Sequence, residues 1–456
     1  MADRKMPNHL VEVLHHRVRG LPRTLSELNY PTVEENVFAV CVLLYSSSAF
    51  AVFLKGSNEV AVGISTGFLV TNSISVFIYL VGAYFLVTRC NWNLQIVRQI
   101  PWLFGLTLLP VASVLWSDVP WITTLRAGAL VGTTVVGVYL GVRYDSVALL
   151  RLLGWSLGIA GVLSFLAGWL VPTYGIGTGV FEGDWIGVFA HKNTLGSNMA
   201  LGFLVFSLLA RTSRYARWFL WVLCCLSLAL VFLADSAGSK ITCAFLVSVM
   251  FYDAAIRPRV KRIWMRYAVV SSLASLVVAQ AYLRLQDILG VLGRDETMTG
   301  RMEVWSLLWP MLQERTWLGY GYGAFWLGYD GPSAEVWQEL GEGAFSSSHN
   351  GYLEIWTSCG LLGLTLFAIC LLGALRKAFA RSREGATPDR SWPLYFLLFL
   401  IIYNLADTTF LLANHIFWLT FVAVVVQLCR LEGKSMPKRQ LLNAQMQPRF
   451  EPGFPA

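Results

Sequence analysis

Charge is what this sequence has least of. Only 14% of its 456 residues are Asp, Glu, Lys or Arg, against about 25% in soluble domains, and mean hydropathy is +0.57. That deficit excludes an ordinary water-soluble fold. The eight cysteines show neither a CxxC pair nor a Cys/His ligand spacing, which argues against a disulfide framework or a cysteine-based metal site. Nearly all fall inside or at the ends of apolar runs, where they serve as small core residues. Residues 1–30 carry Arg4, Lys5, Arg17, Arg19 and Arg23 but lack the apolar core of a signal peptide. Nor is there a nucleotide-binding loop, because the G-Y-G-Y-G run at 319–323 follows no strand. No convincing repeat relates the two halves, as many alternating-access transporters would show.

What the chain does have is a series of apolar runs with short basic clusters between them. A span needs about 20 apolar residues, and the sequence predicts twelve: 37–54, 68–87, 100–115, 125–142, 147–171, 195–210, 218–233, 236–252, 267–283, 352–375, 392–405 and 411–429. The eighth and eleventh are the shortest or most interrupted. The net charge of +8 and pI near 9.1 do not indicate nucleic acid, since the basic clusters sit where they set membrane orientation. With the N-terminus inside, all but eight of the 35 Lys and Arg residues fall on the cytoplasmic side, and 16 of the 27 acidic residues fall outside. The expected fold is therefore an all-α polytopic integral membrane protein of about twelve transmembrane helices. Both termini are expected in the cytoplasm. The predicted organisation is a tail at 1–36, nine spans over 37–283, a large outer loop at 284–348, three spans over 349–429 and a tail at 430–456. Within the loop, residues 301–313 place Val304, Trp305, Leu308, Trp309 and Leu312 on one helical face. This predicts a helix lying in the outer interface with its Trp residues at headgroup depth.

The outer cations stand out against this background. Four of the eight, Arg126, Lys192, Lys240 and Arg301, lie in or beside the most distinctive polar motifs. Stray cations on the outer face of so apolar a chain call for an anionic partner, such as a phosphate or pyrophosphate. Residues 346–354 read S-S-S-H-N-G-Y-L-E and lead into a span. His349 there can accept a proton near neutral pH, although a capped helix start, with Asn350 or a serine as cap, accounts for the same residues. Glu354, one turn into a membrane helix, is costly without a partner and is a functional candidate. Residues 187–196, G-V-F-A-H-K-N-T-L-G, set His191, Lys192 and Asn193 at a helix start, a setting suited to phosphate oxygens. Lys192 could equally snorkel to the interface. Residues 116–126, W-S-D-V-P-W-I-T-T-L-R, hold Arg126 within an outward-opening span, with Asp118 as a candidate partner. S-A-G-S-K at 236–240 and T-G-R at 299–301 complete the set, and a guanidinium such as that of Arg301 grips phosphate at two points. All five motifs land on one predicted face.

Taken in order from Trp116 to Leu364, these motifs resemble the O-antigen ligase and polymerase superfamily, and within it the ExoQ-like exopolysaccharide polymerases. The resemblance covers more than half the chain. It implies a membrane glycosyltransferase facing the periplasm, with a glycan on undecaprenyl pyrophosphate as donor and neither metal nor other cofactor. Arg301 and Arg126 would hold the pyrophosphate, with Lys192 in the family's basic position beside Asn193. His349 would take the acceptor's proton. Lys240 stands where ligases often show Arg, so its role stays open. His191, Asn350 and Glu354 belong to the same motifs and join the expected site. The expected activity is polymerisation of lipid-linked repeat units in exopolysaccharide biosynthesis, beside other assembly and export proteins. Two alternatives remain: ligation of lipid-linked glycan to lipid A-core, and transport or flipping of a lipid-linked oligosaccharide.

Overall fold

The structure is a computed structural model that describes residues 30–50, 66–90, 100–178, 182–256, 301–341, 345–385 and 387–445. Among these the chain is helical, with only an isolated bridge between Ile176 and Trp185. In chain order the helices are α1 Val33–Ser46, α2 Thr66–Arg89, α3 Pro101–Ala112, α4 Pro120–Arg143, α5 Ser146–Leu170, α6 Lys192–Thr212, α7 Arg217–Leu233, α8 Ala237–Phe251, α9 Arg301–Glu314, α10 Ala334–Leu340, α11 Gly351–Arg383, α12 Pro388–Tyr403 and α13 Ile416–Gln445. Helices overlap eleven of the twelve predicted spans; the ninth, 267–283, lies outside the described residues. Five are long and apolar enough to cross a membrane, α4, α5, α6 and α11 entirely and α2 from Val70, while α3, α7 and the first half of α13 are shorter apolar helices.

Local chemistry sets the helix starts. Thr32 and Glu35 form a reciprocal capping box, so α1 begins four residues before the apolar run does. Proline occupies the first turn of α3, α4 and α12, where its missing N–H costs nothing. Asp145 caps α5 by accepting from the Ala148 N–H at 2.8 Å.

α6 forms the centre, buried from Leu195 to Ala210, and packs against α5, α7, α8 and α12. Glycines bring α4 against both α2 and α13. A Cβ on Gly132 would lie 2.4 Å from the Tyr79 ring, and one on Gly137 2.7 Å from Val422, the close backbone approach that membrane helix pairs use.

The segment between 301 and 350 has a core of its own. Val304, Leu308 and Met311 of α9 pack with Tyr320, Phe325 and Val336. This corrects the expectation that the apolar face of α9 lies on the membrane. That face is consumed within the loop, Trp305 is partly buried with it, and Trp309 points away, exposed.

α11 is broken at Gly360, whose φ is +66°. The break frees backbone groups that the loop then satisfies. The Leu361 N–H donates to the Thr316 carbonyl at 2.8 Å, the Leu362 N–H to Trp317 at 3.2 Å, and the Tyr320 N–H to Thr357 at 2.8 Å. Gly360 tolerates this φ because it has no Cβ, and a Cβ there would sit 2.2 Å from the Trp317 carbonyl.

Candidate active site

Four predicted motifs come to one end of the bundle, with Arg301, the described residue of the fifth, acting on His349 there. Contacts link them around the rim. The Asn198 amide of α6 donates to the Ser47 carbonyl at 3.1 Å. Gly196 abuts Ser236 and Ser239 of the small-residue turn, and Gly238 abuts Ala406. The Gly351 N–H donates to the Asn404 carbonyl at 2.9 Å, and Arg126 donates to the Gly323 carbonyl.

His349 lies on the turn just before α11, with φ +47°. Backbone in that region is strained for most side chains, and Glu354 helps to hold it. Its Oε2 accepts from the Ser348 N–H at 3.0 Å, the Ser348 hydroxyl at 2.9 Å and the Trp326 indole N–H at 3.0 Å. The Trp305 indole adds a bond to the Ser348 carbonyl at 2.9 Å. The placement of Glu354 therefore suits an anchor for the turn better than a group that touches substrate.

Asn350 also departs from its expected role. Its Oδ1 caps α11 by accepting from the Tyr352 and Leu353 N–H groups, at 3.0 and 3.2 Å, and its Nδ2 reaches the Leu405 carbonyl at 3.4 Å. This is the cap that the sequence also allowed.

The imidazole of His349 packs edge-on against Phe345, with ring centroids 5.7 Å apart. Its Nδ1 is buried without a hydrogen bond and stands 3.9 Å from Asp407 Oδ1. Burial depresses the His349 pKa; Asp407 opposes this, and Arg301 and His191 reinforce it. Arg301, His191 and Asp407 all bear on the charge of this ring, with Asp407 nearest to its Nδ1. The imidazole is thus a neutral base at neutral pH, with a carboxylate beside it.

Asp407 was not found by sequence reasoning. It sits in the turn between α12 and α13, accepting from the Tyr403 hydroxyl at 2.6 Å and the Thr408 N–H at 2.8 Å. The Tyr403 hydroxyl also lies 3.5 Å from the Asn193 carbonyl. His415 immediately precedes α13, its Nδ1 accepting from the Phe417 N–H at 3.4 Å. The available signal was a lone carboxylate in the polar break between the last two apolar runs. Among the described residues, no three His, Cys, Asp or Glu side chains stand close enough to share a metal ion.

The predicted cations divide into two groups. Lys192 pairs with Asp184 at 2.7 Å, and Lys240 pairs with Asp235 beside the Phe232 ring. Asp118, the candidate partner of Arg126, instead meets Arg315 at 2.8 Å. Arg126 is exposed and lies against Gly323, whose backbone comes so close that a Cβ would meet its Cδ at 2.5 Å. Among the described residues no acidic side chain forms an ion pair with Arg301 or Arg126. His191 caps α6, its Nδ1 accepting from the Asn193 N–H at 3.0 Å, and burial lowers its pKa too. The site thus offers a neutral base, a carboxylate beside it, and two guanidinium groups without carboxylate partners.

Two known relatives can be set beside this chain. A family model described as O-antigen ligase (Wzy_C) matches residues 222–368, the stretch that holds Arg301, His349 and Glu354. The exopolysaccharide production protein ExoQ of Rhizobium meliloti (strain 1021) is 27% identical over 303 residues, covering 62% of this chain and 67% of that protein. Together the two matches support the placement of this chain in the O-antigen ligase/ExoQ-like superfamily that its motifs resemble.

Proposed function

We propose that this protein is a membrane polysaccharide polymerase. It transfers a glycan from an undecaprenyl-pyrophosphate donor to a lipid-linked repeat unit, and its His349-bearing end faces the periplasm. The observation that carries this reading is the gathering of His349, Asp407, Arg301 and Arg126 at one end of an apolar bundle. The acceptor hydroxyl gives its proton to Nε2 of His349 while its oxygen attacks the anomeric carbon. The bond from that carbon to the pyrophosphate oxygen breaks, and the anomeric centre inverts. Asp407 steadies the imidazolium through Nδ1, closing the 3.9 Å gap as catalytic contacts commonly do when substrate arrives. Arg301 and Arg126 receive the charge that builds on the leaving pyrophosphate. Glu354 positions His349 through Ser348, and Asn350 fixes the start of the same helix. Lys192 and Lys240 hold the rim through their own carboxylates. No metal or other cofactor enters this scheme.

Because burial holds the His349 pKa down, the free base persists at pH values where an exposed histidine would already be protonated. Activity then falls only as pH drops below the usual histidine range.

The test is reconstitution of the purified protein in vesicles with a lipid-linked oligosaccharide, following product length. Longer lipid-linked products that vanish with His349→Ala support the reading. Wild-type elongation by His349→Ala overturns the assignment of the base. Transport of the oligosaccharide without elongation overturns the enzyme reading. The family model's description favours a second reading, a ligase, and a deletion strain separates the two. Loss of secreted polysaccharide with intact lipopolysaccharide marks a polymerase; accumulation of unlinked lipid-borne glycan marks a ligase.

A further inference from the structure

The apolar face of α9 is used up inside the loop, yet a different aromatic rim remains uncovered beside it. Leu115 is 89% exposed, Trp317 72% and Trp121 68%, and Trp309 and Leu318 are exposed as well. Bonds and ring contacts tie the Leu115–Trp116 corner, the turn at 316–318 and Trp309 together. The Trp116 indole donates to the Leu318 carbonyl at 3.0 Å and the Trp356 indole to Thr316 at 3.1 Å. Trp309 meets Trp356 edge-on at 5.8 Å.

The depth of this edge can be read from α11. Gly360 lies about 13 Å along the axis from Gly351, at about 1.5 Å per residue. After Glu354 the helix carries no charged residue until Arg376, so a stretch fit for hydrocarbon begins at Ile355 and Gly360 lies about 7 Å inside it, at about 1.5 Å per residue. The Trp317 and Thr316 carbonyls bond to Leu362 and Leu361 at this level. The loop therefore descends beside α11 past the point where the uncharged stretch begins. Elsewhere in the bundle, exposed Trp and Tyr residues also stand at helix ends: Trp169 at this end, Trp218 and Tyr215 at the other. Indole rings favour this position, being apolar in body with one polar N–H.

We propose that the rim formed by Leu115, Trp121, Trp309, Trp317 and Leu318 is seated in the lipid surface at the His349 end of the bundle. There it acts as an anchor that holds the 301–350 loop against the membrane. The occupant is the headgroup and upper acyl region of the bilayer. The edge is continuous with the lipid-facing sides of α3, α4 and α11, and the neighbouring charges, Arg315 and Asp118, are closed on each other.

The intact protein tests this without substitution. It is reconstituted in phosphatidylethanolamine–phosphatidylglycerol vesicles containing a phosphatidylcholine with a diazirine near the carbonyl end of one acyl chain. After photolysis, lipid adducts are mapped by mass spectrometry. Residues 309–318 and 115–121 should carry several-fold more adduct than 328–340 of the same loop. Equal or lower labelling of 309–318 relative to 328–340 overturns the anchor. The measurement needs no glycan substrate, so its outcome is separate from that of the transfer reaction.

Discussion

Glu35 and Arg143, at one end of the bundle, meet through two hydrogen bonds of 2.7 and 3.0 Å. His349 and Asp407, at the other, stop 3.9 Å apart. The first pair is closed and largely covered: the Tyr139 hydroxyl joins it at 3.4 Å and the Thr32 N–H donates to Glu35. The second has a buried nitrogen with no hydrogen bond. The backbones differ in the same sense. Among the described residues, every non-glycine position with positive φ (Ser48, Phe50, Asp235, His349, Leu411 and Asn414) lies at the His349 end. At the Arg143 end the connections are plain, as where α4 passes through Tyr144 and the cap Asp145 directly into α5. A buried charge pair that satisfies itself fixes helices together; groups left short of their partners, on strained backbone, are available to a ligand.

Substitutions at the two ends should therefore fail in different ways. The largest effect belongs to the open end. His349→Ala should slow transfer by about 10²–10⁴-fold and Arg301→Ala by about 10²–10³-fold, each leaving the thermal midpoint in detergent close to wild type. A large drop in midpoint would make the open end structural after all. At the closed end, Glu35→Ala strands a buried guanidinium and should cost about 3–5 kcal/mol of stability. Transfer rate per folded molecule should hold, and denaturation curves beside single-turnover assays separate the two quantities.

The smallest effect is expected from Lys240→Gln, which breaks a partly exposed pair with Asp235 worth about 0–1 kcal/mol. Transfer should stay near wild type; a loss comparable to that of Arg301→Ala would return Lys240 to the donor-binding set.

Most of the helices were legible because apolar runs and their basic flanks report burial and orientation directly. The gathering of motifs at one end was legible for the same reason, since alternating helix direction fixes which loops are neighbours. Partners were not. Asp118 stands eight residues before Arg126, yet Arg315 takes it, because the G-Y-G-Y-G ribbon carries the loop across the start of α4. Arg143 read only as an orienting charge, although it is the partner that makes buried Glu35 tolerable. Asp407 was lost in what looked like a polar gap between two spans, and Tyr403 read only as part of the eleventh span. Periodicity says which side of a helix is covered; it does not say which loop covers it.

The broken step in α11 has one more consequence. Above Gly360, the first turns of this helix have the lower half beneath them only through a single residue of unusual backbone, and the carbonyls of Thr316 and Trp317 take up the N–H groups that the break sets loose. The perch of the base is thus assembled from two stretches of chain some forty residues apart. A nascent polypeptide with its bundle complete but this splice still undone would be threaded correctly and chemically idle.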